Sequence, residues 1–317
     1  MSGPVILAIP SKGRLKEQVE GWLADAGLRL EADGGERGYR ARLGGLDGLE
    51  VRLISAGEIA RALESGEVHL GVTGEDLLRE QGEGMDSRVL MLRALGFGRA
   101  DLVVAAPQSW LDVATMADLE DVAHQHLART GRRLRVATKY VAQTRTFFAL
   151  HGVGDYRIVE SAGATEGAPA AGAAEIVVDI TTTGATLAAN HLRTLSDGVI
   201  LRSQAQLAAG LTAQWDGESL AVTRRLLSLV EARARARATL TLVWPPEQDD
   251  AARAACAPFL ARGSQARTSG LLVPRGDIAS CSYALEMAGV GPVTAAAPEY
   301  VFSPECGPFD RLSALIS

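Results

Sequence analysis

The sequence has no run of the roughly 20 apolar residues that a membrane-spanning helix needs. The apolar stretch near its start is only Val5 to Ile9, and no basic segment precedes it. That reads as a short buried strand, not as a signal peptide. Cysteine is scarce: Cys256, Cys281 and Cys306 all lie in the last quarter. Their wide spacing and odd number support neither a disulfide framework nor a zinc site, so a reducing cytoplasm is the expected home. The five histidines show no metal spacing. Positive charge is not in surplus either, the balance being 32 − 38 = −6. This argues against a nucleic-acid partner, which needs a basic surface. It leaves room for small anions, which a few local Lys and Arg residues can hold. No internal repeat occurs, and no GxxxxGK[ST] phosphate loop.

What is present is an ordinary globular composition, 47% hydrophobic and 22% charged. At 317 residues the chain exceeds one domain, so two or three are expected. Short apolar strands alternate with amphipathic helices. Strands are expected at Val5–Ile9, Leu49–Ile54, His69–Val72 and Leu102–Ala106. Helices are expected at Leu15–Ala26, Glu58–Glu64 and Asp76–Gln81. This pattern means an α/β fold with a mostly parallel sheet. A second unit follows, with helices at Met116–Arg129 and Thr144–Leu150. Its strands fall at Leu134–Ala137, Arg157–Glu160 and Glu175–Asp179, and another helix begins near Ala185. Gly198–Arg202 and Ser203–Ala209 read as a strand and a helix that return to the first unit. The expected organisation is therefore two lobes, residues 1–105 rejoined by about 196–236, and residues 106–195. A long helix, Ser219–Ala238, ends in EARARARA, read as a solvated helix end and not as a nucleic-acid patch. Residues 239–317 form a separate small α/β domain.

The stretch Glu175–Leu187, EIVVDITTTGATL, concentrates the chemistry. A buried strand delivers Asp179 at its C-terminal end. A loop of hydroxyls and one glycine follows, then a helix. Ligands of open α/β sheets bind at such strand ends, and loops entering helices suit phosphate. Gly184 lets the backbone curl, and a carboxylate before the loop can hold ribose hydroxyls. The combination suits a sugar phosphate. The plain alternative is a strand–turn–helix with threonine caps.

The same stretch resembles the phosphoribosyl-pyrophosphate loop of phosphoribosyltransferases. With its surroundings it resembles the ATP phosphoribosyltransferase family, which opens histidine biosynthesis. Gly163-Ala-Thr-Glu166-Gly-Ala-Pro169 precedes the loop and Leu187-Ala-Ala-Asn190 follows it. Ile9-Pro-Ser-Lys12-Gly13-Arg14-Leu15, Leu70-Gly-Val-Thr-Gly74-Glu-Asp76, Leu95-Gly-Phe-Gly98 and Val136-Ala-Thr-Lys139-Tyr140 occur in the family's order. The likeness covers about residues 4–210.

The resemblance implies a two-lobed, periplasmic-binding-protein-like fold with its active site in the cleft. ATP would be phosphoribosylated at N1 by phosphoribosyl pyrophosphate, with Mg²⁺ on the departing pyrophosphate. Thr181, Thr182, Thr183, Gly184, Ala185 and Thr186 would grip the 5′-phosphate. Asp179 and Glu166 would bind ribose hydroxyls, directly or through the metal. Lys12, Arg14 and Lys139 would meet pyrophosphate or triphosphate oxygens, with Gly74, Asp76 and Tyr140 contacting the nucleotide. Histidine would inhibit, and the chain would assemble as a homo-oligomer, dimer or hexamer. Two departures stand out. Ser55 occupies a position where the family carries an arginine, so Arg52 or Arg61 is expected to supply the charge. The end, Tyr300–Asp310, does not look like the family's C-terminal domain. Other readings are a transferase with another acceptor, a ligand-binding module and a regulatory relative.

Overall fold

The computed structural model describes residues 3–32, 40–161 and 163–316. The chain opens with β1 (Val5–Pro10), α1 (Gly13–Asp25), β2 (Arg29–Ala32), β3 (Arg40–Gly44), β4 (Leu49–Ile54), α2 (Ala56–Ser65), β5 (Leu70–Gly74), α3 (Glu75–Arg79) and β6 (Val89–Ala94). Then come β7 (Ala100–Pro107), α4 (Met116–Thr130), β8 (Leu134–Thr138), α5 (Val141–Leu150), β9 (Tyr156–Glu160), β10 (Ile176–Thr181), α6 (Ala185–Ala189) and β11 (Leu192–Ser203). The chain continues through β12 (Ala205–Gly210), α7 (Gly217–Ala238), β13 (Thr239–Val243), α8 (Asp249–Leu260), β14 (Gln265–Arg267) and β15 (Gly270–Pro274). It ends with α9 (Ile278–Met287), β16 (Thr294–Ala296) and α10 (Gly307–Ile316).

Three sheets result. The first has the order β2-β3-β4-β1-β5-β12-β6 and the second β11-β7-β10-β8-β9; a third, small sheet has the order β14-β15-β13-β16. The central strand β1 is parallel to β4 and β5. It is covered on both faces, which is why it reads as an unbroken apolar run and not as an alternation. The expected two-lobed α/β architecture is present, and the two big sheets carry separate cores.

Three expectations need correction. Ser203–Ala209 is not a helix: Ala205–Gly210 is the fully buried strand β12, antiparallel to both β5 and β6. Its Ala, Leu and Gln favour helix locally, but two flanking strands satisfy its backbone, and pairing overrides propensity. Leu102–Ala106 belongs to the second lobe, because β7 pairs with β10 and β11. Crossing from first to second lobe therefore occurs at residues 95–99, and the return at 203–205.

The third correction concerns the end. The small sheet with α8 and α9 closes its own core around Trp244, Cys256 and Cys281. The chain then runs back along α7, and Cys306 with Phe309 and Leu312 of α10 enters the core of the first lobe. Arginines of α7 hold this returning strap. Arg233 donates to the Glu299 carbonyl at 2.8 Å, and Arg235 to the Val301 and Glu305 carbonyls at 3.3 and 3.0 Å. The EARARARA run is thus a set of anchors, with Ala232 and Ala236 buried beneath, and not a solvated helix end.

Candidate active site

The parallel strands of the first sheet end along one edge, and each end hands over a chemical group. β1 leads to Lys12 and Arg14, both exposed and without an ion-pair partner among the described residues. β4 leads to Ser55 and β5 to Gly74 and Asp76. Ser55 caps α2: its hydroxyl accepts from the Glu58 N–H, and its own N–H donates to the Glu58 carboxylate at 2.8 Å. This reciprocal cap needs a short side chain, so serine here has a local structural cause. Of the two arginines expected to compensate, Arg52 is paired with Glu50 at 3.2 Å, whereas Arg61 is exposed on α2.

In the second sheet β10 carries Val177, Asp179 and Thr181 on one face, by alternation. Val177 packs with Leu187 of α6 on that face. Asp179 is half-buried, and one of its oxygens accepts from the Ile180 N–H at 2.8 Å. Burial pushes its carboxyl above the usual range; that hydrogen bond and Lys139 pull it down, while Glu166 pushes it up. Asp179, Lys139 and Glu166 thus sit within each other's field. Lys139 is exposed at the end of β8, its Nζ 5.0 Å from the centre of the Tyr140 ring. The loop closes on itself through the Gly184 N–H, which donates to Thr181 Oγ1 at 2.8 Å. Gly184 has φ 76°, a left-handed conformation that suits glycine. A longer bond of 3.4 Å runs from the Ala185 N–H to Thr183 Oγ1. Thr182 and Thr186 are exposed, with hydroxyls that no described residue engages.

Asp76 and Tyr140 differ from this pattern. Tyr140 is fully buried and donates its hydroxyl to Asp76 Oδ2 at 2.7 Å. Burial and then the Asp76 charge raise its phenol well above the usual range, so it stays a neutral donor. The other Asp76 oxygen accepts from the Ser203 hydroxyl at 2.7 Å. A side chain on Gly74 would overlap that carboxylate. Glu80 completes the join by accepting from the N–H groups of Ala142 and Gln143 at 2.8 and 3.3 Å. Asp76 and Glu80 belong to the first lobe and Tyr140, Gln143 and Ser203 to the second. The cluster is an interlobe latch. Sequence reasoning missed Glu80, Gln143 and Ser203; the signal that hid Ser203 was its placement at the start of an expected helix.

The fold defines a two-lobed α/β protein, with the loop after Asp179 at the end of β10 in its second sheet. The sequence model described as "HisG: ATP phosphoribosyltransferase" matches residues 55–230. The ATP phosphoribosyltransferase of Caulobacter vibrioides strain NA1000 / CB15N is 67% identical over 313 residues, 99% of this chain and 98% of that protein. The ATP phosphoribosyltransferase of a Bradyrhizobium species, strain ORS 278, is 49% identical over 327 residues, 100% of this chain and 99% of that protein. The chain belongs to the ATP phosphoribosyltransferase family. Among solved structures, the ATP phosphoribosyl transferase (HisG:HisZ) complex of Thermotoga maritima shares the fold. Its TM-score is 0.54 at 22% identity, over 72% of this chain and 98% of that one.

Proposed function

We propose that the protein transfers the phosphoribosyl group of phosphoribosyl pyrophosphate to N1 of ATP, the first step of histidine biosynthesis. One observation carries the residue-level reading. The end of β10 delivers a half-buried carboxylate directly before a loop whose hydroxyls at 182 and 186 have no partner among the described residues. The bond from ribose C1′ to pyrophosphate breaks, positive charge develops on the ribose ring, and the C1′–N1 bond forms. Asp179, with Glu166 beside it, stabilises that charge and holds ribose hydroxyls. Thr181–Thr186 seats the 5′-phosphate, and Lys12, Arg14 and Lys139 meet the phosphate chains of donor and acceptor.

Among the described residues no three His, Cys, Asp or Glu side chains gather into a metal cage. Mg²⁺ brought with the pyrophosphate would supply charge neutralisation of the leaving group. Asp179 and Glu166, two carboxylates facing each other's charge, are the side chains fit to meet it directly or through substrate. No helix of the described residues is long and apolar enough to cross a membrane. A cytoplasmic location is proposed from the biosynthetic reaction. It is read as a homo-oligomer inhibited by histidine, the end product acting through the small C-terminal domain.

The test is release of pyrophosphate from the donor with ATP, with other nucleobases as acceptors in parallel. ATP-dependent release with a product heavier than ATP by ribose 5-phosphate less one water supports the reading. Release with another acceptor and not with ATP rejects it. The same assay with histidine added rejects the regulatory part if the rate is unchanged.

A further inference from the structure

Ser55 leaves the cleft without the arginine expected beside it, and Arg52 is engaged by Glu50. Unpaired positive charge lies elsewhere, on the two segments that connect the lobes. Arg99 ends the outward crossing and Arg202 stands at the return. Both are exposed, and neither guanidinium has an ion-pair or hydrogen-bond partner among the described residues.

Their placement is set by sheet register. Arg202 of β11 lies opposite Asp101 of β7, and Asp101 lies opposite Thr181 of β10. Residues directly opposite one another across strands share a face, so Arg202, Asp101 and Thr181 form a row across three strands. Asp179 stands on the same face two residues earlier, about 6.7 Å along the strand by the usual rise per residue. A cavity of about 330 Å³ opens there, lined by Arg99, Asp101, Thr181, Thr182, Arg202 and Gln204 among others. Gln204 fastens the two crossings together, its side-chain oxygen accepting from the Gly96 N–H at 3.1 Å. Two guanidinium groups against the one carboxylate of Asp101 leave this cavity with a net charge of 2 − 1 = +1. Two of its walls are the loop threonines Thr181 and Thr182, so its positive charge faces the loop.

We propose that Arg99 and Arg202 form a cationic wall for the 5′-phosphate of the sugar-phosphate donor. The inference rests on the reading of residues 181–186 as the donor's phosphate loop. Guanidinium groups suit the task because their planar forks bind phosphate oxygens two at a time.

Ribose 5-phosphate is the probe, since its binding is measured without turnover. Calorimetric titration is carried out on the full chain, the R99A and R202A variants, their double variant and R202K. Each alanine variant is expected to weaken ribose 5-phosphate about tenfold and to raise the KM for the donor by the same factor. The KM for ATP and the melting temperature stay unchanged, because both side chains are exposed. R202K retains part of the affinity, as a point charge replaces a fork. Affinity within twofold of wild type in the double variant overturns the wall, and so does a rise confined to the KM for ATP. Failure of the wild type itself to bind ribose 5-phosphate removes the phosphate loop, and the wall with it, which separates the two readings.

Discussion

Two aspartates stand at the ends of two sheet strands near the junction of the lobes, and they have opposite surroundings. Asp76 is 6% exposed, and each of its carboxylate oxygens accepts a hydroxyl from the other lobe, Ser203 on one side and Tyr140 on the other. Among the described residues Asp179 accepts only the N–H of the next residue, and burial pushes its carboxyl upward against that bond. A buried polar group matched by protein partners holds a frame. One left undermatched at a cleft is costly in the empty protein and gains its partners when ligand arrives. The resemblance implied ligand contacts for both; the hydrogen bonds place Asp76 in the latch and give Asp179 no bond to the other lobe among the described residues.

The contrast is tested most severely by Asp179→Asn. Turnover should fall by ~10² to 10³-fold, since charge opposite the ribose ring is lost from the transition state. The melting temperature should not drop, because a desolvated charge is removed. A variant with near-wild-type kcat removes Asp179 from the mechanism. Asp76→Ala and Tyr140→Phe should behave the other way. The first strands two interlobe hydroxyls and should cost about 3 kcal/mol of unfolding free energy; the second removes one hydrogen bond to a charged acceptor and should cost about 2 kcal/mol. If either leaves the melting temperature unchanged while raising the KM for ATP, the latch is instead a nucleotide contact.

Ser55→Ala should cost about 1 kcal/mol through the lost cap of α2 and change kcat little. A large loss of activity at wild-type stability would assign Ser55 to the substrate. Thr182→Val should be the mildest, weakening the donor by about 1 kcal/mol through one hydroxyl contact without altering stability. The pH profile sharpens the contrast further. The Asp179 carboxyl is raised in the folded protein, so its ionisation opposes folding. That cost is fully present above the folded pKa and vanishes below the unfolded one. Activity should therefore fall on the acid side at a higher pH than an ordinary aspartate would give, while the Asp179 contribution to stability improves over the same range. A wild-type and Asp179→Asn pair with identical pH–stability curves would contradict this.

Much of the fold was legible because the relevant physics is local. Strands β1, β4, β5, β8 and β10 are apolar or alternating stretches bounded by turn residues, and their ends were placed within a residue or two. The loop after Asp179 was legible because its hydroxyls, its glycine and the following helix are contiguous. The β12 strand was not, since AQLAAG becomes a strand only with β5 and β6 on either side. Nor was the returning strap: Tyr300–Asp310 has little pattern of its own, and its partners lie on α7. This return also explains why the chain's end departs from an appended small domain. A truncation near Ala236 would strip α10 from the first-lobe core, so it tests stability as much as regulation.

What the sequence by itself determined is the order of strands and the chemistry at their ends, because periodicity and loop composition act between near neighbours. Tertiary structure decided which of those groups are free. Asp76 meets Tyr140 across 64 residues of chain and Ser203 across 127, and no local pattern encodes either meeting. The same holds for Arg202, which comes level with Thr181 only through the intervening strand β7. Whether a polar side chain is locked or available depends on partners brought from far along the chain, and only the folded sheet register supplies them.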